Sequence, residues 1–509
     1  MIRRFGIIIV ILLSCISYVN IINIPREFEF NEFIYSVKKT LDKGLIMVGV
    51  TSFRNLDILI IKMNSKNSIE WSKAIGTLGK DVGYSIEVLG NGYLIAGYTS
   101  TTEIGGYNIL LIKLDLNGNV IWSKALGTER HDIAYSVVKA HDNGFLIVGY
   151  TLGFRGDSDI LLAKFDNNGN ILWCKVIGEK LYDDVAKYVL ATKDGGYLIV
   201  GHTWSSKAEL DDAFVMKLNA SGDIEWYRNL GGCRYDEACY AIETSDKGYL
   251  LIGTTWSYGF GSEDILILKL NSSGYVEWSL AMGGEECDGA YSAIEINDGY
   301  LINGFTFSFT KGGYDAMLIK INKSGYIDWF SHIGHKGDES LYSIVKIGKS
   351  KYVILGYTSS FGLGDYDVLF LNIENEYINS AYILKLYNLT KPVILQNRSL
   401  LINKVINARE FSKRVEVHVR IPSMEIHDFI LKVADLKISE IDYKMTINAI
   451  NLKTFETKIT KPFRIRITPE QLVWILLLLP LIITLTLTFL IRLFSSLKRI
   501  KKREKRGKK

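Results

Sequence analysis

A tryptophan recurs at intervals of 51 to 53 residues through most of this 509-residue chain. The six tryptophans are Trp71, Trp122, Trp173, Trp226, Trp278 and Trp329. A Gly-x-Thr sequence recurs seven times, at Gly49/Thr51, Gly97/Thr99, Gly149/Thr151, Gly201/Thr203, Gly253/Thr255, Gly304/Thr306 and Gly356/Thr358. Seven copies of one unit therefore fill roughly residues 33 to 384, and a fold for this chain has to contain seven equivalent parts.

Each copy predicts four short strands. Between Tyr135 and Gly178, YSVVKA and FLIVGYT flank the turn HDNG, while DILLAKF and NILWCKVI flank the turn DNNGN. β-branched and aromatic residues on both sides of a Gly-containing turn predict a β-hairpin, so each copy holds two hairpins. A four-stranded unit of this length, repeated seven times, predicts an all-β fold, a seven-bladed β-propeller over residues 23–384.

The last copy lacks the tryptophan, which raises the question of how the ring closes. The segment IINIPREFEFNE, residues 21 to 32, contains an alternating stretch that suits a strand. We expect this segment to close the ring beside the last copy, because closure removes the exposed strand edges that favour aggregation.

Both ends of the chain predict export and anchoring. Residues 1–22 place Arg3 and Arg4 before an apolar run, as in a signal peptide. Residues 472–491 carry no charge and are long enough to cross a bilayer as a transmembrane helix. Residues 492–509 contain ten Lys or Arg and one Glu, and the positive-inside rule predicts that this basic tail is cytoplasmic. The sequence therefore predicts a single-pass protein of the cell membrane whose N-terminal ectodomain lies outside the cell.

Residues 385–468 do not continue the repeat. The runs RVEVHVRI, YKMTINAI and FRIRIT alternate polar and apolar residues, which predicts a small, Ig-like β-sandwich. We interpret it as a stalk between propeller and membrane, with a second binding module as the alternative. The net charge of +5 comes from the two ends, so the acidic centre argues against nucleic acid as a partner.

Cysteines and sequons are consistent with export. Cys233, Cys239 and Cys287 are candidates for a disulfide, and spacing does not fix the pairing. Five Asn-x-Ser/Thr sequons are candidates for glycosylation: Asn219, Asn271, Asn322, Asn388 and Asn397. The first three occupy one repeat position, the turn between the third and fourth strands.

Comparison among the seven copies separates structural residues from candidates for function. Residue types found in nearly every copy are expected to serve the blade. These include an Asp before the third strand (Asp57, Asp159, Asp212, Asp264, Asp315 and Asp367, with Asn108 as the substitute) and an Asp before the first strand (Asp81, Asp132, Asp184, Asp236, Asp288 and Asp338). Their repetition favours hydrogen bonds to loop backbone over catalysis or cation binding.

Copy-specific residues lie in the loops between the second and third strands and in the links between blades, which share one face. Aromatic residues there predict a surface that stacks on a sugar or a peptide: Trp204, Trp256, Tyr258, Phe260, Phe307 and Phe309. Packing between blades is the alternative for these rings. An acidic sector is expected beside them, formed by Asp183, Asp236, Glu237, Glu285, Glu286 and Asp288. Solvated loop charge or a Ca²⁺ site would explain that sector. The scattered His131, His202, His332 and His335 do not predict a metal site.

The consensus resembles a known class of surface repeats. D-x-[AG]-x-S-[IV], [DN]-x-G-[YF]-L-[IV]-x-G-x-T, D-[IV]-L-L-x-K-[LF] and G-x-[IV]-x-W-x-K-x-[ILM]-G resemble the secreted β-propeller repeats of archaeal and bacterial surface proteins. That resemblance implies a propeller outside the cytoplasm without a shared catalytic motif. The G-x-[IV]-x-W element is also similar to the docking tryptophan of quinoprotein propellers, whose cofactor motifs are absent. Ile- and Lys-rich composition is compatible with an archaeal source.

These observations predict a membrane-anchored extracellular propeller that binds an envelope glycan or a surface protein through its variable-loop face. No cofactor and no catalytic residue are predicted. The alternatives are an extracytoplasmic hydrolase or lyase acting on polysaccharide, and a structural subunit of the cell envelope.

Overall fold

A computed structural model describes residues 31–52, 56–102, 105–153, 157–178, 182–204, 211–310, 312–361 and 365–374, together with the backbone of several strands outside these ranges. Seven four-stranded antiparallel units follow one another between Glu32 and Leu384. The first strands are Glu32–Lys39, Asp81–Leu89, Asp132–Lys139, Asp184–Ala191, Asp236–Glu243, Asp288–Glu295 and Glu339–Lys346. The second strands are Leu45–Thr51, Gly92–Thr99, Phe145–Thr151, Tyr197–Thr203, Tyr249–Thr255, Gly299–Thr306 and Lys351–Thr358.

The outer half of each unit is a second hairpin. The third strands are Asp57–Met63, Asn108–Leu114, Asp159–Phe165, Asp212–Leu218, Asp264–Leu270, Asp315–Asn322 and Asp367–Glu374. The fourth strands are Ile69–Gly76, Val120–Gly127, Ile171–Gly178, Ile224–Leu230, Val276–Met282, Ile327–Ile333 and Tyr377–Leu384. The prediction of seven blades with four strands each is confirmed.

The first strand of each blade is innermost and touches the first strands of its neighbours. The Ser85 Oγ accepts a hydrogen bond from the Val137 amide of the next blade at 3.2 Å, and the Ser343 Oγ accepts one from Val37 across the junction of the last and first blades at 3.2 Å. A β-bulge lies in every first strand, for example between Ala134 and Ser136. These contacts place seven inner strands around one axis.

The hydrophobic core is divided among the seven blade interfaces. Each buried cluster combines residues of two consecutive blades, and the second and third strands are apolar on both faces for this reason. One cluster joins Ile34 and Met47 of the first blade to Val353 and Phe370 of the last. Burial of apolar surface therefore closes the ring.

The tryptophan of one blade clamps the outer turn of the next. A methyl group added to Gly222 would lie 2.3 Å from the Trp173 ring, so this left-handed position (φ 84°) also needs glycine for space. The Lys175 Nζ lies 5.1 Å from the centre of the Trp173 ring and donates a hydrogen bond to the Gly222 carbonyl at 2.5 Å. The first blade follows a blade without this tryptophan, and its turn carries Asn67 instead of glycine.

A lysine of the third strand ties together the two hairpins within a blade. The Lys217 side chain is almost fully buried, and its ammonium lies 2.9 Å from Asp194 in the first hairpin turn and 3.1 Å from Glu225 in the fourth strand. Lys269 makes the same pairs with Asp246 and Glu277. The repeated lysine is therefore structural, because a buried ammonium requires such partners.

The strand predicted to close the ring, residues 21 to 32, lies largely outside the described residues. The last blade takes its four strands from its own consecutive chain, and Val19–Asn20 pairs in parallel with its outer strand, Val19 opposite Ala381.

The region after the propeller contributes short strands along the outer edges of blades. The additional strands are Val393–Gln396, Ile402–Val405, Glu425–His427, Lys432–Ile438, Asn451–Leu452 and Ile459–Thr460. Lys432–Ile438 pairs with the fourth strand of the second blade, and Glu425–His427 with that of the third. Most of the predicted sandwich, residues 385–468, lies outside the described residues.

Residues 1–18 of the predicted signal peptide, the predicted transmembrane helix (472–491) and the predicted tail (492–509) also lie outside them. Within the part of the chain that the structure describes, no helix meets the length and hydropathy needed to span a bilayer.

Candidate functional site

The repeated acidic residues fasten the loops of one face. In blade two, Asp81 is fully buried and accepts hydrogen bonds from the Thr77 amide at 2.5 Å and the Thr77 hydroxyl at 2.7 Å. In blade four, the Thr203 hydroxyl of the Gly-x-Thr sequence donates to Asp184. The expected hydrogen bonding to loop backbone is confirmed, so these carboxylates are structural.

The prediction that Asp338 belongs to this ring is wrong. Glu339, and not Asp338, lies opposite Thr358 as Asp81 lies opposite Thr99. The Thr358 hydroxyl donates to Glu339 at 2.6 Å, and the longer Glu side chain fills the position that Asp fills in other blades. Glu32 takes the same register position, opposite Thr51, in the first blade. The sequence comparison selects Asp338 because blades two to six carry Asp at this position and Asp338 directly precedes Glu339.

The two carboxylate rings face each other in pairs, which predicts a pH effect on stability. Asp212 and Asp236 flank Gly231, and burial, followed by Asp236 and Asp211, raises the pKa of Asp212 from 3.8 to about 6. The folded state therefore binds this proton more tightly than the unfolded state. The stabilisation is complete below about pH 4 and is lost as pH rises through about 6.

We expect the stability of Asp212→Asn, measured relative to the wild type, to increase from pH 4 to pH 8. The pKa difference sets an upper limit of about 3 kcal/mol, and partial solvent exposure reduces it to about 1–2 kcal/mol. Asn108 shows that the fold accepts an amide at this position. Urea denaturation at both pH values measures the gain, with the exposed Asp365→Asn as control. An equal gain in both variants would contradict the assignment.

The predicted aromatic residues divide into exposed and packed rings. Trp256, Tyr258, Phe260 and Phe309 are exposed, with 45%, 52%, 85% and 46% of their surface accessible. Trp204 is half-buried and packs edge-on against Tyr182 at 5.5 Å, and Phe307 is half-buried against Tyr314 at 5.1 Å. We refer to Trp256, Tyr258, Phe260 and Phe309 as the aromatic shelf.

Loop contacts bring the shelf together across two blades. The Tyr258 hydroxyl donates to the Gly231 carbonyl at 3.0 Å, which fixes its ring over the link into blade five. Gly261 lies against the backbone of Gly284 and Glu285, and a methyl group on Gly284 would lie 3.7 Å from the Phe309 ring. The link around Gly284 therefore connects Phe260 to Phe309.

The predicted acidic sector is only partly exposed. Glu285 and Glu286 are exposed beside the shelf, and Asp183 is exposed in the preceding link. Asp236 and Asp288 are buried and hold the Gly232 and Gly284 amides at 2.7 and 2.9 Å. These two residues therefore belong to the structural ring and cannot meet a ligand at the surface.

Tyrosines at the axis were not predicted as site residues. Tyr35, Tyr84, Tyr135, Tyr291 and Tyr342 occupy the bulged position of five first strands, and neighbouring rings lie 4.7 to 5.5 Å apart. We call these five residues the tyrosine floor. The sequence does contain a signal for this floor, because a Tyr precedes the repeated Ser in five copies.

Further aromatic rings rise from this floor toward the loop-bearing face. The residue between Gly and Thr of the second strand contacts the floor, as in Tyr84 to Tyr98 at 6.0 Å and Tyr342 to Tyr357 at 5.8 Å. The residue before the third strand contacts that ring in turn, as in Tyr98 to Tyr107 at 4.9 Å. These rings line the propeller axis on the loop-bearing side, and we call the region that they line the axial funnel.

In blades four and five, Lys187, His202, Asp211 and Glu263 stand at these positions in place of aromatic residues, and Tyr235 and Glu237 lie among them. We call these six residues the charged sector. The Lys187 Nζ lies 2.8 Å from Glu237, whose other oxygen accepts a hydrogen bond from the Tyr235 hydroxyl at 2.7 Å. His202 lies between Glu237 (3.5 Å) and Asp211 (4.0 Å).

The charged sector contains carboxyl groups in different electrostatic states. Burial acts to raise the pKa of Glu237, but Lys187 and His202 hold it well below its usual range. Burial and the neighbouring Glu237 raise the pKa of Glu263, although a hydrogen bond from Thr254 opposes this. Burial also raises the pKa of Asp211. Two carboxyl groups in this sector therefore lack full compensation of their charge.

Cysteine and histidine placement corrects one expectation. Cys174, Cys233, Cys239 and Cys287 are free thiols, so the proposed disulfide among the last three is not formed.

The histidines serve separate contacts: His332 bonds Asp315 at 2.7 Å and His335 stacks on Phe361. No group of three or more potential metal ligands is found among the described residues.

The three aligned sequon asparagines share one turn geometry. The Asn271 Oδ1 accepts hydrogen bonds from the Ser273 and Tyr275 amides, each at 3.0 Å. Asp166 makes the same bonds in blade three, so the turn does not require Asn. Asn219 and Asn322 accept equivalent bonds. Asn388 and Asn397 lie outside the described residues.

Sequence comparison with known proteins finds little similarity. No protein-family model matches the chain. The regulatory protein FlaEY of Caulobacter vibrioides is 28% identical over 113 residues, a match that covers 19% of this chain and 12% of FlaEY.

Solved structures of similar shape have low identity. The β-propeller domain of the Trilobed protease from Pyrococcus furiosus aligns over 70% of this chain and 99% of its own length, with 13% identity and a TM-score of 0.40. A protein of unknown function from Dyadobacter fermentans gives 13% identity and a TM-score of 0.40 over 70% of this chain and 98% of its own. The protein is a seven-bladed β-propeller, as its own strand order establishes.

Proposed function

We propose that this protein is a membrane-anchored binding propeller displayed outside the cell, with the aromatic shelf as its contact surface. The display and the anchor rest on the sequence: the apolar segment 472–491 and the basic residues that follow it. The binding role rests on one observation, four exposed aromatic side chains on neighbouring loops of two adjacent blades. A group of exposed apolar side chains marks an interaction site, whereas a single exposed ring does not.

An envelope glycan suits this surface better than a protein partner. Ring faces such as that of Phe260 can stack on the apolar face of a sugar. Glu285 and Glu286 lie beside the rings, and their carboxylates can accept hydrogen bonds from sugar hydroxyls. A protein interface would instead favour a charge-depleted centre, and two carboxylates at the link between the aromatic groups do not provide one.

A glycan-binding measurement with matched variants tests this proposal. The full chain in detergent would be applied to an array of envelope polysaccharides, alongside Trp256→Ala and Phe260→Ala. We expect at least a tenfold loss of affinity in each variant, since aromatic anchors dominate such contacts. Tyr326→Ala is the control, because Tyr326 is an exposed aromatic residue (72%) on the opposite face.

The outcome separates the alternatives. Glycan binding that all three variants retain equally would exclude the shelf. No glycan signal, together with shelf-dependent capture of a surface protein, would identify a protein ligand instead.

A further inference from the structure

The wall of the axial funnel is aromatic over five blades. Besides the tyrosine floor, it contains Tyr98, Tyr107, Tyr150, Phe305, Tyr314, Tyr357 and Tyr366. Most of these side chains are half-buried, and Tyr314 is 36% exposed, so they keep part of their surface toward solvent. Because aromatic faces are electron-rich, a wall of this kind attracts cations and does not attract anions.

The remaining side of the funnel has an excess of carboxyl groups. Asp211, Glu237 and Glu263 face two basic groups, Lys187 and His202, and the Lys187 ammonium is already paired with Glu237 at 2.8 Å. Asp183 lies near Asp211 and raises the pKa of that carboxyl further, after burial. On the aromatic side, Asp338 lies beside Tyr314 and Tyr357, whose pKa values it raises in addition to burial. The five carboxyl groups named here therefore outnumber the two basic groups.

One cation of the protein, the Lys187 ammonium, already contacts the tyrosine floor. The Lys187 Nζ lies 5.1 Å from the centre of the Tyr135 ring, within the range of a cation–π contact. Lys187 replaces the floor tyrosine of blade four, and Tyr84 continues the floor beyond Tyr135 at 5.2 Å. A second ammonium or guanidinium group could use the remaining rings in the same manner, with Glu263 and Asp211 as counter-charges.

We propose that the axial funnel is a binding site for an organic cation, a ligand that presents an ammonium or guanidinium group on an apolar arm. The aromatic wall would surround the arm and the cationic head, and the uncompensated carboxyl groups of the charged sector would balance its charge. This site is separate from the aromatic shelf and does not depend on the glycan proposal. The cation could be a free amine or a Lys or Arg side chain, since both have the same chemistry.

Calorimetry on the full chain in detergent tests the site. The probes are N-acetyl-lysine methylamide, spermidine and a short oligolysine peptide, with N-acetyl-norleucine methylamide as the neutral isostere. We expect one equivalent of a cationic probe to bind and the neutral isostere to give no heat. Glu263→Gln keeps the shape of the side chain and should weaken binding at least tenfold, and Tyr84→Leu should do the same by removing one ring.

Two controls keep this test independent of folding and of the shelf. Glu286→Gln removes a carboxylate of similar type outside the funnel and should leave cation binding unchanged. Phe260→Ala should impair glycan binding but not cation binding, so the two proposals can fail separately. Binding of the lysine amide or of spermidine would identify a small-molecule site, and binding of oligolysine alone would identify a protein side chain as ligand. Equal binding of the neutral isostere, equal effects of Glu263→Gln and Glu286→Gln, or no heat from any cationic probe would overturn the proposal.

Discussion

Replacing Gly149 with alanine is expected to destabilise the propeller by about 3 kcal/mol or more. A methyl group at this position would lie 1.8 Å from the Ile133 carbonyl oxygen and 3.0 Å from the Ala134 Cα. Both are backbone atoms of the paired inner strand, and the bulge that follows Ala134 brings them over Gly149. No side-chain rotation relieves the overlap, so two strands must separate at a buried blade interface.

Urea or thermal denaturation of the full chain measures this loss. Gly90→Ala is the matched control, because Gly90 is an exposed turn residue and an added methyl group meets no atom within 4 Å. We expect a change of less than about 1 kcal/mol in that variant. If Gly149→Ala were no more destabilising than Gly90→Ala, the close approach of the inner strands would be disproved. The same approach recurs at every Gly-x-Thr, which explains why the glycine is present in seven copies.

The second large effect is expected at the charged sector. Lys187→Met removes the ammonium 2.8 Å from Glu237 and leaves a carboxylate with only 8% of its residue surface exposed. Removing one partner of a buried ion pair typically costs 3–5 kcal/mol, and the partial exposure of Lys187 places our expectation at about 3 kcal/mol. His202 compensates only part of the charge, since it lies 3.5 Å away.

Lys193, in the first hairpin turn of the same blade, gives a matched comparison. It pairs with Glu243 at 3.6 Å, but its side chain is 71% exposed, so Lys193→Met should change stability by less than about 1 kcal/mol. The double variant Lys187→Met/Glu237→Gln should recover most of the stability, because no unpaired charge remains. Equal stability of Lys187→Met and Lys193→Met would show that the Glu237 charge is already satisfied by other groups.

The two proposed sites, the aromatic shelf and the axial funnel, lie on different parts of the loop-bearing face. The shelf lies on the loops between the second and third strands of blades five and six. The funnel lies at the axis, where the first strands of the blades converge. Both depend on copies that depart from the repeat, such as Lys187 at a tyrosine position and Phe260 at the position that Ile104 takes in blade two. Departure from the consensus thus locates candidate function in a protein without matched families.

The sequence alone determined the number of blades, the four strands of each and the structural role of the repeated residues. It could do so because every copy makes the same contacts with the next one. The next blade covers the apolar strands, and a tryptophan such as Trp173 packs on a turn glycine such as Gly222. Which aromatic residues are exposed could not be predicted, since Trp204 and Trp256 share a repeat position and differ only in what packs against them.

The tertiary structure alone decided what lies at the axis. Tyr35, Tyr84 and Tyr342 are far apart in sequence and meet only because seven bulged inner strands converge. The same convergence joins Lys187, His202 and Glu237 from two blades into one sector, and it decides that Glu339 rather than Asp338 completes the carboxylate ring. Spacing along the chain reports the period of the repeat, whereas contact between copies depends on the closure of the ring.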